Sequence, residues 1–270
     1  MNKKKFLKTT PRQKQKLLLV ILLSILFLIN YNFLENSVKN FFDESEHRIV
    51  ERVIDGDTIV VENNTHIRLL GINTPEKGEF YYPESKEFLE ELMINKTVKL
   101  EYGKEKYDMY NRTLAYVFLE KENINLKLVE KGFANFYFPS GKDRYYNGFS
   151  RAWENCIKNN VNLCEKSENK CARCVKLKEF DYKKEMIILE NLCGFDCELT
   201  NWEIKDEGRK KFIFPDFELK DKESVKISVG EGENTKNNLF WAGETYVWTK
   251  TGDTLFLRDD KGKLVLWKTY

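Results

Sequence analysis

Three short clusters combine acids, arginines and turn residues at spacings that suit hydrolysis of a phosphate ester. They are Asp55-Gly56-Asp57-Thr58, Arg68-Leu69-Leu70-Gly71-Ile72-Asn73-Thr74-Pro75-Glu76 and Asp108-Met109-Tyr110-Asn111-Arg112. Such a reaction needs a cation to offset charge on the phosphoryl oxygens, a base for the attacking water, and fixed donors for the transition state. Asp57 offers the hard oxygen that calcium takes. Arg68 and Arg112 can each present a planar, permanently charged fork to phosphate. A glutamate such as Glu76 ordinarily titrates below neutrality and can accept a proton from water. Taken singly, the first cluster is a hairpin turn, Thr74-Pro75-Glu76 a helix entry, and either arginine a surface charge in an ion pair. Their joint occurrence, in one order along a pattern of strands, is what points to a site.

Composition narrows the alternatives. Only two histidines occur, His47 and His66, which leaves carboxylates and arginines to carry catalysis. The formal net charge is +2, but Lys3, Lys4, Lys5, Lys8, Arg12, Lys14 and Lys16 precede the first acid, Glu35, so everything after residue 34 carries −5. A protein that blankets phosphates with charge should be strongly basic, so any nucleic-acid affinity must come from a few placed arginines or from metal.

The elements that would position the clusters read as a small barrel. Ile49–Ile54, Thr58–Val61 and His66–Leu70 alternate like strands and are separated by Asp55-Gly56 and Asn63-Asn64, residues suited to tight reversals. Further strands are expected over Thr97–Tyr102 and Thr113–Leu119. Helices are expected from Pro83 to about Asn95, over Asn125–Lys131 with Gly132 as its stop, and over Asp143–Lys158. The result is a five-stranded sheet with three helices. After a polar joint, short strands are expected over Glu185–Glu190, Leu199–Lys205, Lys211–Phe214, Ser224–Val229, Thr245–Thr249, Thr254–Arg258 and Leu264–Trp267. Seven strands without a helix predict an immunoglobulin-like β-sandwich.

Leu17–Ile29 is an apolar run behind the basic stretch, continued to Leu34, which is long enough to cross a hydrocarbon core. The absence of a small-residue cleavage site over Glu35–Phe42 favours an uncleaved single-pass anchor over a secreted protein's signal peptide. Either exports the remainder. The six cysteines, Cys156, Cys164, Cys171, Cys174, Cys193 and Cys197, suit that compartment as structural disulfides whose pairing the sequence leaves open. Cys193 and Cys197 flank a tight loop that they would staple if oxidised together. The expected domains are an anchor (1–34), a linker (35–47), a barrel (48–166), a Cys-containing joint (167–174) and a sandwich (175–270).

The order VIDGDT, RLLGINTPE and YNRTLAYV resembles the staphylococcal nuclease, or thermonuclease-like, family over roughly residues 48–166. The resemblance implies an OB-type five-stranded barrel with three helices and calcium-dependent hydrolysis of DNA or RNA to 3′-phosphate and 5′-hydroxyl ends. Carried over by residue, it implies that Asp57 and the Thr74 carbonyl bind Ca2+, that Glu76 is the general base, and that Arg68 and Arg112 grip the scissile phosphate. Asn73 stands where the family usually has a ligating aspartate, which removes one formal charge and implies weaker calcium binding, to be relieved by Asn73→Asp. Tyr110 and Tyr137 could stack on bases or pack in the fold. Residues 175–270 resemble a lamin-tail domain, through Leu199-Thr200-Asn201-Trp202, Val225-Lys226-Ile227-Ser228-Val229-Gly230 and Gly252-Asp253-Thr254-Leu255-Phe256. That implies a binding or positioning role toward an unknown ligand, with Trp202 and Trp248 in its core. The competing function is a surface binding protein with a weak or inactive nuclease site.

Overall fold

The computed structural model describes residues 11–42 and 46–270; the basic residues before Pro11 lie outside it. The chain divides into two units, Met1–Ser45 and Glu46–Tyr270.

In the first unit, helix α1 spans Pro11–Phe42, so most of the expected linker continues the helix instead. Its apolar residues from Leu17 to Ile29 are exposed. Among the described residues no helix is long and apolar enough to cross a membrane, and the transmembrane helix expected to end at Leu34 is without structural support. The described side chains of α1 stop at Tyr31, after the polar Asn30.

In the second unit, strands β1 (Glu46–Asp55), β2 (Thr58–Val61), β3 (Thr65–Leu69), β4 (Thr97–Tyr107) and β5 (Thr113–Leu119) run in the order β3-β2-β1-β4-β5. A parallel pairing of β3 with β5 closes the ring. Inward residues such as Ile59, Ile67, Val98 and Val117 are fully buried, as strand alternation requires. Helices α2 (Tyr82–Met93), α3 (Ile124–Glu130) and α4 (Tyr146–Asn159) pack on the barrel, α4 with the stripe Phe149, Ala152, Trp153 and Cys156. Gly132 ends α3 at φ +71, where an added Cβ would lie 2.5 Å from the Val161 carbonyl. Buried Asn125 ties the barrel to α3: its amide nitrogen donates to the Leu70 carbonyl at 2.8 Å and its oxygen accepts from the Val117 amide at 2.9 Å.

The later strands are β6 (Val175–Asp181), β7 (Met186–Asn191), β8 (Glu203–Lys205), β9 (Lys211–Ile213), β10 (Ser224–Val229), β11 (Asn238–Trp241), β12 (Thr254–Arg258) and β13 (Leu264–Thr269). They form two four-stranded sheets, β11-β10-β7-β6 and β9-β8-β12-β13, over a core holding Trp202, Phe214, Trp241 and Trp248. The expected β-rich region without a long helix is present, with two changes to its strands. Thr245–Thr249 is not a strand, and β6 and β11 were not foreseen; in β6 the exposed Lys176 and Lys178 break up the apolar residues. The disulfides are Cys156–Cys164, Cys171–Cys197 and Cys174–Cys193. Cys193 and Cys197 therefore do not staple their own loop: each reaches back to the joint, where the two bridges lie side by side.

The barrel and the sandwich share apolar packing. Phe256 and Leu264 belong to the barrel's core cluster, and the Phe256 ring sits edge-on to Trp153 at 5.4 Å. The buried Arg258 guanidinium donates to the Leu163 carbonyl at 2.6 Å.

Candidate metal and phosphate site

Strand register assembles the first two clusters. Thr58 on β2 pairs directly with Arg68 on β3, and Arg68 pairs with Leu114 on β5, just past Arg112. Asp57 enters β2 from a turn in which its amide donates to Asp55 Oδ1 at 3.1 Å. Gly56 is required in that turn, since a Cβ there would fall 2.5 Å from Ser85 Oγ and 2.9 Å from Thr74 Cγ2.

Asp57 is the hub. Its Oδ2 forms an ion pair with Arg68 Nη2 at 3.0 Å and accepts from the Thr74 amide at 3.1 Å and from Thr74 Oγ1 at 3.0 Å. Its Oδ1 accepts from Thr58 Oγ1 at 3.1 Å. Arg68 also donates to the Leu69 carbonyl at 2.6 Å, and its Nη2 lies 3.4 Å from Asn73 Oδ1. Arg112 is held by Asp108 at 2.7 Å and reaches Thr58 Oγ1 at 3.5 Å. Although burial works against it, hydrogen bonds from the Arg112 backbone and side chain hold the Asp108 carboxyl below its usual range. Burial, and next the charge of Asp57, push the Asp55 carboxyl up.

Asp57, Arg68, Asn73 and Thr74 thus form one network only 2–7% exposed, and Arg112 joins it through Thr58. Glu76 stands two residues past Thr74 with its side chain 47% exposed, and its Oε1 forms an ion pair with Arg209 Nε at 2.7 Å. Tyr110 is exposed and has the Arg112 guanidinium 5.5 Å from its ring. Tyr137 is only half-exposed, because Gly208 packs against it, so it is not an open platform for a base.

The residues missed from the sequence come from the sandwich. The loop between β8 and β9, Asp206-Glu207-Gly208-Arg209-Lys210, lies against the barrel at this site. The Asn73 amide nitrogen donates to the Gly208 carbonyl at 2.7 Å, and the Phe138 amide donates to Glu207 at 3.4 Å. Lys205 and Lys211 flank the loop and grip Glu79 at 2.9 and 2.8 Å. Against its own burial, Glu79 is held at about 2, chiefly by Lys205. In the sequence, Glu207-Gly208 carries only a turn signal.

This contact gives Asn73 a second role beside that of the ligand expected from the sequence. An aspartate at 73 would lose the donor and set a carboxylate against the Gly208 carbonyl. The oxygen of Asn73 still faces Asp57's partner Arg68, so the side chain divides its two ends between loop and site. The groups gathered here, a carboxylate, an amide oxygen and the Thr74 backbone, are hard oxygens, and Asp57 already attracts a cation in the form of Arg68. That donor set fits calcium rather than a thiolate-seeking metal. The sulfurs of Cys171, Cys193 and Cys197, close together elsewhere, are all consumed in disulfides.

The loop also carries a pH dependence. Burial, and then Asp253, push Asp206 up to about 7, and burial outweighs the Thr254 hydrogen bond to push Glu207 up to about 8. Folded-state values above the unfolded ones mean that the native state binds the extra protons. The associated stability is complete below about pH 4 and is lost as pH rises through 7 and 8. Melting temperature is expected to fall by roughly 5–10 °C between pH 6 and 9, and Asp206→Asn with Glu207→Gln should flatten that slope.

Residues 66–166 match the family model described as staphylococcal nuclease homologue, and residues 168–270 match the Lamin Tail Domain. The first match begins at His66, so Asp57 is joined to it by strand register. The chain is 37% identical over 134 residues to a thermonuclease of Staphylococcus hyicus, covering 46% of this chain and 79% of the relative. It is 35% identical over 130 residues to that of Staphylococcus intermedius, covering 45% and 77%. An uncharacterized endonuclease of Haemophilus influenzae is 36% identical over 101 residues, covering 36% and 56%. With the barrel, the clustered site and these relatives in agreement, the chain belongs to the staphylococcal nuclease family and carries a lamin tail domain after its nuclease domain.

Proposed function

We propose that this nuclease hydrolyses phosphodiester bonds of DNA, RNA or both in a calcium-dependent reaction, leaving 3′-phosphate and 5′-hydroxyl ends. The observation that carries the reading is the single network of Asp57, Arg68, Asn73 and Thr74, extended to Arg112 through Thr58. Asp57, the Asn73 oxygen and the Thr74 carbonyl would hold Ca2+, which when bound supplies charge stabilisation to the phosphoryl oxygens. Arg68 and Arg112 orient the phosphate through fixed guanidinium donors. Glu76 takes the proton of the attacking water at a carboxylate oxygen. Export and single-pass tethering are part of the same proposal, resting on the apolar run 17–29 that follows basic residues in the sequence and, for export, on three disulfides.

The test is digestion of labelled single- and double-stranded DNA and RNA by the full chain in detergent. Cleavage is expected with calcium and should drop at least about 100-fold with chelator, since the metal offsets charge that one carboxylate cannot. No cleavage of any of the four substrates would leave the binding-protein reading standing. In the same assay, Asn73→Asp should lower the calcium needed for half-maximal activity. It should also destabilise the calcium-free protein by about 1–3 kcal/mol, the cost of an unpaired buried carbonyl. An unchanged calcium requirement removes Asn73 from the metal shell.

A further inference from the structure

The loop from the lamin tail domain does more than cover the nuclease site. Asp206 and Lys210 close it through an amide-to-carboxylate bond of 3.0 Å, and Asn73, Phe138 and Glu79 hold it to the barrel. Its cations differ in what they have left to give. Lys205 and Lys211 are both spent on Glu79, and Lys210 is paired with Glu244 at 3.3 Å. Arg209 has a single ion-pair partner among the described residues, Glu76 at 2.7 Å, and its side chain is 56% exposed. More than half of that side chain is open to solvent, beside the carboxylate that activates water in the proposed reaction.

We infer that Arg209 is a substrate-binding residue of the nuclease site, supplied by the lamin tail domain, which contacts a phosphate of the nucleic-acid strand beside the scissile one. This deepens the function proposed above and rests on it. A phosphodiester that brings its phosphorus to a water on Glu76 must bring backbone phosphate oxygens within reach of the same guanidinium. An exposed carboxylate ion pair is a weak bond, whereas a guanidinium meets phosphate through two parallel hydrogen bonds. Substrate therefore draws Arg209 off Glu76, and the freed carboxylate oxygen can receive the water's proton. The buried Asn73–Gly208 bond keeps Arg209 at the mouth of the site. Because the chain beyond residue 34 is net acidic, one placed cation carries weight that bulk charge does not.

The experiment compares the full chain with Arg209→Ala, Arg209→Lys and, as a control, Lys222→Ala, whose side chain is 85% exposed. Initial rates on a short single-stranded oligonucleotide in calcium are measured at several salt concentrations. Arg209→Ala should raise KM about fivefold with kcat little changed, and should shallow the slope of log kcat/KM against log salt by about 0.7. Arg209→Lys should keep the slope and recover part of KM, and Lys222→Ala should match wild type. An unchanged KM and salt slope in Arg209→Ala overturns the inference while leaving the nuclease reading intact. A gain in kcat/KM also overturns it, by showing that the Arg209–Glu76 pair is an inhibitory latch. An inactive wild-type chain overturns the function on which it rests.

Discussion

A chain ended after Lys166 is expected to lose the native barrel, although the family match to the nuclease domain stops there. Phe256 and Leu264 are buried in the barrel's own core cluster, and Trp153, fully buried, has Phe256 and Trp267 edge-on to its rings at 5.4 and 6.2 Å. Truncation strips those partners and opens the carbonyl of Leu163 that Arg258 satisfies. Two large side chains removed from a packed core cost about 5 kcal/mol or more together, which is comparable with the whole stability of a typical domain, about 5–15 kcal/mol. The truncated protein should show no cooperative melt near that of the full chain. In the full chain, Phe256→Ala alone should cost about 3–5 kcal/mol in denaturant unfolding. A truncated form that melts within a few degrees of the full protein would show that the shared packing is dispensable.

Glu76→Gln should abolish most cleavage while leaving the fold intact. The amide cannot take a proton from water, and loss of a positioned general base costs about 10²–10⁴ in kcat. Its structural cost is small, because the side chain is about half exposed and its one ionic contact, with Arg209, is a surface pair worth about 1 kcal/mol or less. Cleavage rates and thermal melts on the same preparation separate the two effects. A variant within tenfold of wild-type kcat would assign the proton to another group.

The sequence made the barrel legible because its strands are bounded by residues with one local meaning. Asn63 and Asn64 both adopt the left-handed conformation between β2 and β3, and Gly132 does so after α3. Asp57, Arg68 and Arg112 were marked by the resemblance of their clusters to the nuclease family, and strand register puts Arg68 beside Thr58 and Leu114. The sandwich was legible as a class but not strand by strand: β11 pairs in parallel with β10, a long-range choice that no local pattern announces. The loop at residues 206–210 was invisible as a site element, because Glu207-Gly208 reads as an ordinary turn and its partner Asn73 lies far away along the chain. Asn73 itself looked like a defect while only the barrel was considered. It is a donor matched to the Gly208 carbonyl. The cysteine pairing was open in the sequence for the same reason: Cys193 and Cys197 flank a tight loop, but their partners Cys174 and Cys171 lie in the joint.

The order of synthesis gives the shared core a meaning of its own. A polypeptide emerges from its amino end, and Phe256 and Leu264 of the barrel's core lie far beyond residue 166, where the match to the nuclease domain stops. The barrel therefore completes its packing only after much of the lamin tail domain has also been synthesised.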